Sequence, residues 1–157
     1  MLQVLAALQP LYVSTGTVAL AEIGDKTQLL ALLLAARFRR PWPIIAGILV
    51  ATLLNHALAA WLGSLVAHWL TPQLLRWAVA ASFIGIALWT LKPDTMDEGA
   101  ALPARDTFAA TVVAFFLAEI GDKTQVATVL LATRFDVLWQ VVAGTTLGML
   151  LANVPVV

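Results

Sequence analysis

Ala21-Glu22-Ile23-Gly24-Asp25-Lys26-Thr27-Gln28 recurs unchanged as Ala118-Glu119-Ile120-Gly121-Asp122-Lys123-Thr124-Gln125. Each copy sits inside a long apolar stretch. A charged side chain in such a place costs roughly 2.5–3.5 kcal/mol near the centre of a membrane helix. Six ionisable groups repeated in the same order, Glu22, Asp25, Lys26, Glu119, Asp122 and Lys123, mark the place where function is expected.

The repeat extends beyond the octapeptide. An offset of 97 residues superposes Arg37 on Arg134, Phe38 on Phe135, Trp42 on Trp139 and Gly47 on Gly144. Residues 22–47 and 119–144 share 15 identities in 26 positions, so an internal duplication is inferred.

The chain has 157 residues, of which 61% are hydrophobic and only 11% charged. A soluble domain carries about a quarter charged residues. Several apolar runs also exceed the ~18–20 residues needed to cross a bilayer. The sequence therefore reads as an all-α, polytopic membrane protein, because in hydrocarbon only a helix or a closed barrel satisfies its own backbone.

Five spans are predicted, near 11–36, 43–69, 73–91, 107–133 and 138–157, with Met1 to Pro10 as a lead-in. The first ten residues lack the basic start of a signal peptide. Trp42, Trp69, Trp77, Trp89 and Trp139 fall near span ends, as amphipathic rings prefer, whereas Trp61 lies inside its span. The domain reading is a first three-helix repeat over 1–91, a polar linker over 92–106 and an incomplete second repeat over 107–157.

The first motif lies in the first span and the second in the fourth, an advance of three, so the second copy must cross in the opposite direction. Inverted repeats of this kind place transporter sites near the midplane. The first repeat's Arg37/Arg39/Arg40 loop is more basic than the Arg134/Asp136 loop, which places it in the cytoplasm and the N-terminus outside.

In a continuous helix, Glu22 would neighbour Asp25 and Lys26, with Gln28 further along the same row. Glu119, Asp122, Lys123 and Gln125 would repeat the pattern. Four carboxylates and two ammonium groups leave two negative charges, which one divalent cation or two protons neutralise. Glu22, Asp25, Glu119 and Asp122 are the candidate cation ligands. Thr27, Gln28, Thr124 and Gln125 would complete the shell, and oxygen donors suit Ca²⁺, Mg²⁺ and Mn²⁺.

Lys26 and Lys123 can only donate and are expected to pair with Glu22 and Glu119. A lone Glu–Lys pair could be a self-neutralising staple. Two copies in opposed halves, each with a second acid, argue for function. No resident cofactor is expected. With no cysteine, disulfides and thiolate sites are excluded, and the zero net charge gives no sign of nucleic-acid binding. The expected partners are the lipid bilayer, a divalent cation and protons.

His56, beside Asn55, and Asn153 lie in spans following the two motifs. They read as groups that support the ion's ligands from behind, relay protons or hydrogen-bond between helices. Gly144 and Gly148 form a G-x-x-x-G, a close helix contact.

The repeated Glu-Ile-Gly-Asp-Lys-Thr resembles the cation/proton antiporter family defined by two E-x-G-D-[KR]-[TS] motifs. That family includes Golgi manganese and calcium transporters and bacterial manganese exporters. Asn55-His56-Ala57-Leu58-Ala59-Ala60 and Ala152-Asn153-Val154-Pro155 extend the likeness. The resemblance implies exchange of Mn²⁺ or Ca²⁺ against protons, with Glu22, Asp25, Glu119 and Asp122 as the cation site and Thr27 and Thr124 in support. It also implies six helices in two inverted halves, so a chain ending at Val157 is expected to be a truncated or shortened variant lacking the last one.

The expected setting is a bacterial inner membrane. Two other readings are weighed: a small-solute or amino-acid exporter with inverted halves, and an intramembrane aspartyl protease using Asp25 and Asp122. The adjacent lysines oppose the shared-proton dyad that a protease needs.

Overall fold

The computed structural model describes residues 1–92 and 106–157. Most of the linker, with Pro93, Asp94, Asp97, Glu98, Pro103 and Arg105, lies outside the described residues. Those described form eight α-helices and one 3-10 turn, with no strand: α1 Leu2–Ala7, α2 Gln9–Glu22, α3 Lys26–Phe38, α4 Pro41–Trp69, α5 Pro72–Thr90, α6 Thr107–Glu119, α7 Lys123–Arg134, α8 Leu138–Asn153, then Val154–Val156. This is an all-α membrane protein.

Local chemistry sets the helix starts. Pro41 and Pro72 stand in the first turns of α4 and α5, where a missing N–H costs nothing. Thr71 caps α5 by accepting from Leu74 N at 3.4 Å, and Asp106 caps α6 by accepting from Phe108 N at 2.9 Å. At 29 residues, α4 is about 43 Å long, more than the hydrocarbon thickness.

Two of the predicted spans, the first and the fourth, are not single helices. Each breaks at its motif, between Glu22 and Lys26 and between Glu119 and Lys123. The sequence expectation of one continuous helical face through each motif is corrected here. Gly24 and Gly121 take φ of 75° and 74°, the left-handed region that ends a helix; Asp25 then caps the next helix by accepting from Thr27 N, while Asp122 holds the N-cap position of its helix with no side-chain cap hydrogen bond. The two pieces make little contact with each other, so they do not fold back as a hairpin.

The packing exchanges the halves. α8 packs along α2, while α4 packs along α6 and α7. The crossings are tight and follow the sequence repeat. A Cβ on Gly144 would collide with the Leu11 carbonyl oxygen and Ser14 Cβ. A Cβ on Gly47 would meet Phe108 O and Thr111 Cβ, the same three positions shifted by 97 residues. Gly148 also lies against α2, at Thr15 and Val18, which makes the G-x-x-x-G the close contact its spacing predicts. Small residues matter because lipid tails are as apolar as leucine, leaving close packing and polar contacts to join helices.

The burial pattern is reversed from that of a soluble protein. Leu20, Leu29, Leu32, Leu53, Leu54, Leu58 and Trp61 are exposed, whereas Glu22, Asp25, Thr52, Asn55, His56, Glu119 and Asp122 are buried. An apolar belt of Val18, Leu34, Ile44, Ile48, Phe115 and Met149 packs beside this polar interior.

Candidate functional site

Each helix break would leave unsatisfied backbone groups, which is tolerable at membrane depth only when protein supplies partners. The last residue of each motif does so. Gln28 Oε1 accepts from Gly24 N at 2.9 Å, and Gln125 Oε1 accepts from Gly121 N at 2.7 Å. The same amides tie the breaks to the opposite half: Gln28 Nε2 donates to Ala152 O at 2.9 Å, and Gln125 Nε2 to Asn55 Oδ1 at 3.4 Å. Gln28 and Gln125 were expected to complete a cation shell. The structure places their oxygens on the glycine N–H groups instead.

With the break closed, the two motifs meet. Glu22, Asp25 and Asp122 are all buried and each offers an oxygen within 4.8 Å of the others, a geometry able to hold a metal ion. The motifs are linked reciprocally by ion pairs. Lys123 Nζ lies 2.6 Å from Asp25 Oδ1, and Lys26 Nζ lies 3.3 Å from Asp122 Oδ1.

This corrects the expected pairing of Lys26 with Glu22 and Lys123 with Glu119. The i, i+4 relation behind that expectation ends where the helix does. Each lysine opens a new helix and points to the other copy's aspartate. The lysines also differ in access, Lys26 being 30% exposed along its side chain and Lys123 only 4%.

The motif threonines adjoin the motif acids. Thr27 Oγ1 lies within hydrogen-bond reach of both Glu22 Oε2 and Asp25 Oδ2, and its N–H reaches Asp25 Oδ2 at 3.4 Å. Thr124 Oγ1 donates to Asp122 Oδ2 at 3.3 Å.

Glu119 is not part of the three-carboxylate group. Its Oε1 accepts from Thr52 Oγ1 at 2.8 Å, and its Oε2 stands 3.8 Å from His56 Nε2. Glu22 has a matching neighbour, since Asn153 Nδ2 donates to its Oε2 at 3.3 Å. Asn55 Nδ2 donates to Phe116 O at 3.1 Å and so anchors α4 to α6.

Thr52 was not singled out from the sequence. The signal was there: Thr52, Asn55 and His56 stand at i, i+3 and i+4 in an otherwise apolar helix, one polar face turned inward.

A family model described as "Divalent cation/proton antiporter GDT1" matches residues 10–98 and 107–157. The chain belongs to the GDT1 family. It is therefore a divalent-cation transporter of the membrane, not an enzyme, and the aspartyl-protease reading falls.

Among related proteins, one from Vibrio cholerae serotype O1, named "Putative manganese exporter", is 60% identical over 148 residues, covering 94% of this chain and 74% of that protein. A "GDT1-like protein" of Synechocystis sp. is 27% identical over 157 residues, covering 83% of this chain and 73% of its own length. No solved structure matches.

The glycine at each break can be tested independently of transport. Gly24→Ala and Gly121→Ala place a Cβ in left-handed backbone, expected to cost about 1–2 kcal/mol each. Nothing lies within 4 Å of either added Cβ, so strain alone would be read. Thermal unfolding in detergent should show both variants lowered by similar amounts.

Proposed function

We propose that this GDT1-family protein exchanges Mn²⁺ for protons by alternating access, with Glu22, Asp25 and Asp122 holding the cation and Glu119 adjoining them. The observation that carries this reading is the meeting of both motifs in one buried group. The three carboxylates and two lysines of that group leave one excess negative charge, and Glu119 brings the total to two. One divalent cation compensates that charge, and so do two protons. Cation and protons thus compete for the same compensation, which couples their movements.

The lysines act as tethered counter-ions in this mechanism. Each ammonium lies on the other motif's aspartate. An arriving divalent ion takes over that role, and the lysines withdraw along their flexible stems. Because each ion pair joins opposite motifs, cation arrival changes the link between the halves. That is the kind of differential contact that shifts a two-state equilibrium.

Residues 1–91 and 107–157 serve as the two inverted halves. The exchanged contacts of Gly47 and Gly144 and the odd step of three from the first motif's span to the second's support the relation. A bacterial inner membrane is the proposed location, with the Arg37 to Arg40 loop in the cytoplasm. Manganese is preferred over calcium as substrate because of the name of the Vibrio relative.

The test is manganese flux in proteoliposomes carrying a pH-sensitive dye. Wild-type protein is expected to move protons against Mn²⁺, and Asp25→Asn or Asp122→Asn to lower that exchange about 100-fold or more, the size of a lost charge-assisted ligand pair (about 3 kcal/mol). Undiminished exchange in both variants would overturn the site. Manganese flux with no proton movement would overturn the coupling.

A further inference from the structure

We infer that His56 and Glu119 form a second cation position, in which an imidazole nitrogen and a carboxylate oxygen select a transition-metal ion over Ca²⁺. The inference rests on the transporter reading above and assigns its metal preference to a residue outside both motifs.

The geometry suits two ligands of one ion. His56 Nε2 and Glu119 Oε2 face each other at 3.8 Å, both side chains are fully buried, and neither atom has a hydrogen-bond partner. That separation is beyond a hydrogen bond, which ends near 3.2 Å for a nitrogen donor. Two ligand atoms about 2.1–2.2 Å from one metal and 90–120° apart lie about 3.0–3.8 Å from each other.

The surroundings hold the two groups in place. Thr52 Oγ1 fixes the other Glu119 oxygen at 2.8 Å, leaving Oε2 directed at the imidazole. Asn55, the preceding residue on α4, is bound to Phe116 O and to Gln125, so the helix carrying His56 is pinned to the second motif.

The repeat identifies what is special about this pair. The position 97 residues after His56 is Asn153, which approaches Glu22 as His56 approaches Glu119. The asparagine is a plain hydrogen-bond donor to its carboxylate. An imidazole offers a nitrogen lone pair instead, which suits manganese, iron, cobalt or zinc and is a poor donor for Ca²⁺, an ion that collects oxygens. The first-motif glutamate therefore has an amide beside it, and the second-motif glutamate an imidazole. A cation passing both meets a filter on one side alone.

Two measurements test this on the full chain. In Mn²⁺-loaded protein, electron spin-echo modulation should show coupling to nitrogen-14, lost in His56→Asn and kept in His68→Asn, the other imidazole of the chain. In proteoliposomes, His56→Asn should reduce the ratio of Mn²⁺ to Ca²⁺ transport at least tenfold. Wild-type protein that binds Mn²⁺ without nitrogen coupling would overturn the inference, as would loss of coupling in His68→Asn or an unchanged ratio in His56→Asn. The wild-type spectrum decides the question even where the substituted protein fails to fold. Wild-type protein that neither binds nor transports Mn²⁺ would overturn the transporter reading first, and this inference with it.

Discussion

Replacing Lys123 with methionine is expected to destabilise the protein by about 3–5 kcal/mol, the usual cost of removing one partner from a buried ion pair. The Lys123 side chain is 4% exposed and its ammonium lies 2.6 Å from Asp25 Oδ1. Methionine fills the same volume, so packing is kept while the positive charge is lost. In detergent the melting temperature should fall by on the order of 10 °C.

The double variant Lys123→Met/Asp25→Asn should regain most of that loss, because the carboxylate that the ammonium contacts is then neutral as well. It should not regain transport, because a cation ligand has gone. Lys26→Met should cost less, since Lys26 is 30% exposed and its ion pair is longer, at 3.3 Å. Added Mn²⁺ separates a structural pair from a tethered counter-ion. If the lysine stands in for the cation, Mn²⁺ should stabilise the Lys123→Met protein more than the wild type. A melting temperature insensitive to Mn²⁺ would remove the counter-ion mechanism.

That prediction depends on an arrangement the sequence only half disclosed. Hydropathy marked the spans well: 43–69 against α4 at Pro41–Trp69, and 73–91 against α5 at Pro72–Thr90. The interruption within the first and fourth spans was missed because both motifs lie in apolar surroundings long enough to cross the membrane unbroken. A local signal existed nonetheless. Asp25-x-x-Gln28 and Asp122-x-x-Gln125, each preceded by glycine, have the form of a helix start, with a capping acid and a glutamine three residues on. Reading each motif as a helix beginning would have placed Lys26 and Lys123 in a first turn, beyond reach of their own glutamates.

Legibility within the site followed the same division. The residues that meet were visible from the repeat, because duplication and parity bring two acidic motifs together. Which acid meets which base was not, since that depends on the direction each chain takes after the break. The difference between Glu22 and Glu119 was hidden for another reason. It arises on α4 and α8, where Thr52 and His56 face one glutamate and Asn153 the other. Neither helix carries the motif, and no spacing rule connects residue 56 to residue 119.

Gly144→Val and Gly47→Val are expected to be strongly damaging changes outside the motifs, and damaging to similar extents. At Gly144 the new Cβ would collide with the Leu11 carbonyl oxygen and lie 2.8 Å from Ser14 Cβ. At Gly47 it would lie 2.6 Å from Thr111 Cβ and 3.1 Å from Phe108 O. A backbone carbonyl inside a helix cannot swing aside, so the crossing helices must separate. Overpacking of this kind costs about 1–3 kcal/mol and more where backbone is struck.

Function should suffer along with stability, by a route that distinguishes the two positions. Moving α8 off α2 draws Asn153 from Glu22, whereas moving α4 off α6 draws His56 and Thr52 from Glu119. Gly16→Ala and Gly85→Ala are the controls, since a Cβ meets nothing within 4 Å at either, and a helical alanine should add about 0.5–1 kcal/mol. Chemical or thermal unfolding of all four variants in one detergent provides the comparison. Similar losses at Gly47 and Gly144, with none at the controls, would mean that the two halves use one crossing twice. A loss at only one of the two glycines would mean that the crossings, alike in sequence, do not bear equal weight, and the two-fold relation of the halves would lose its energetic support.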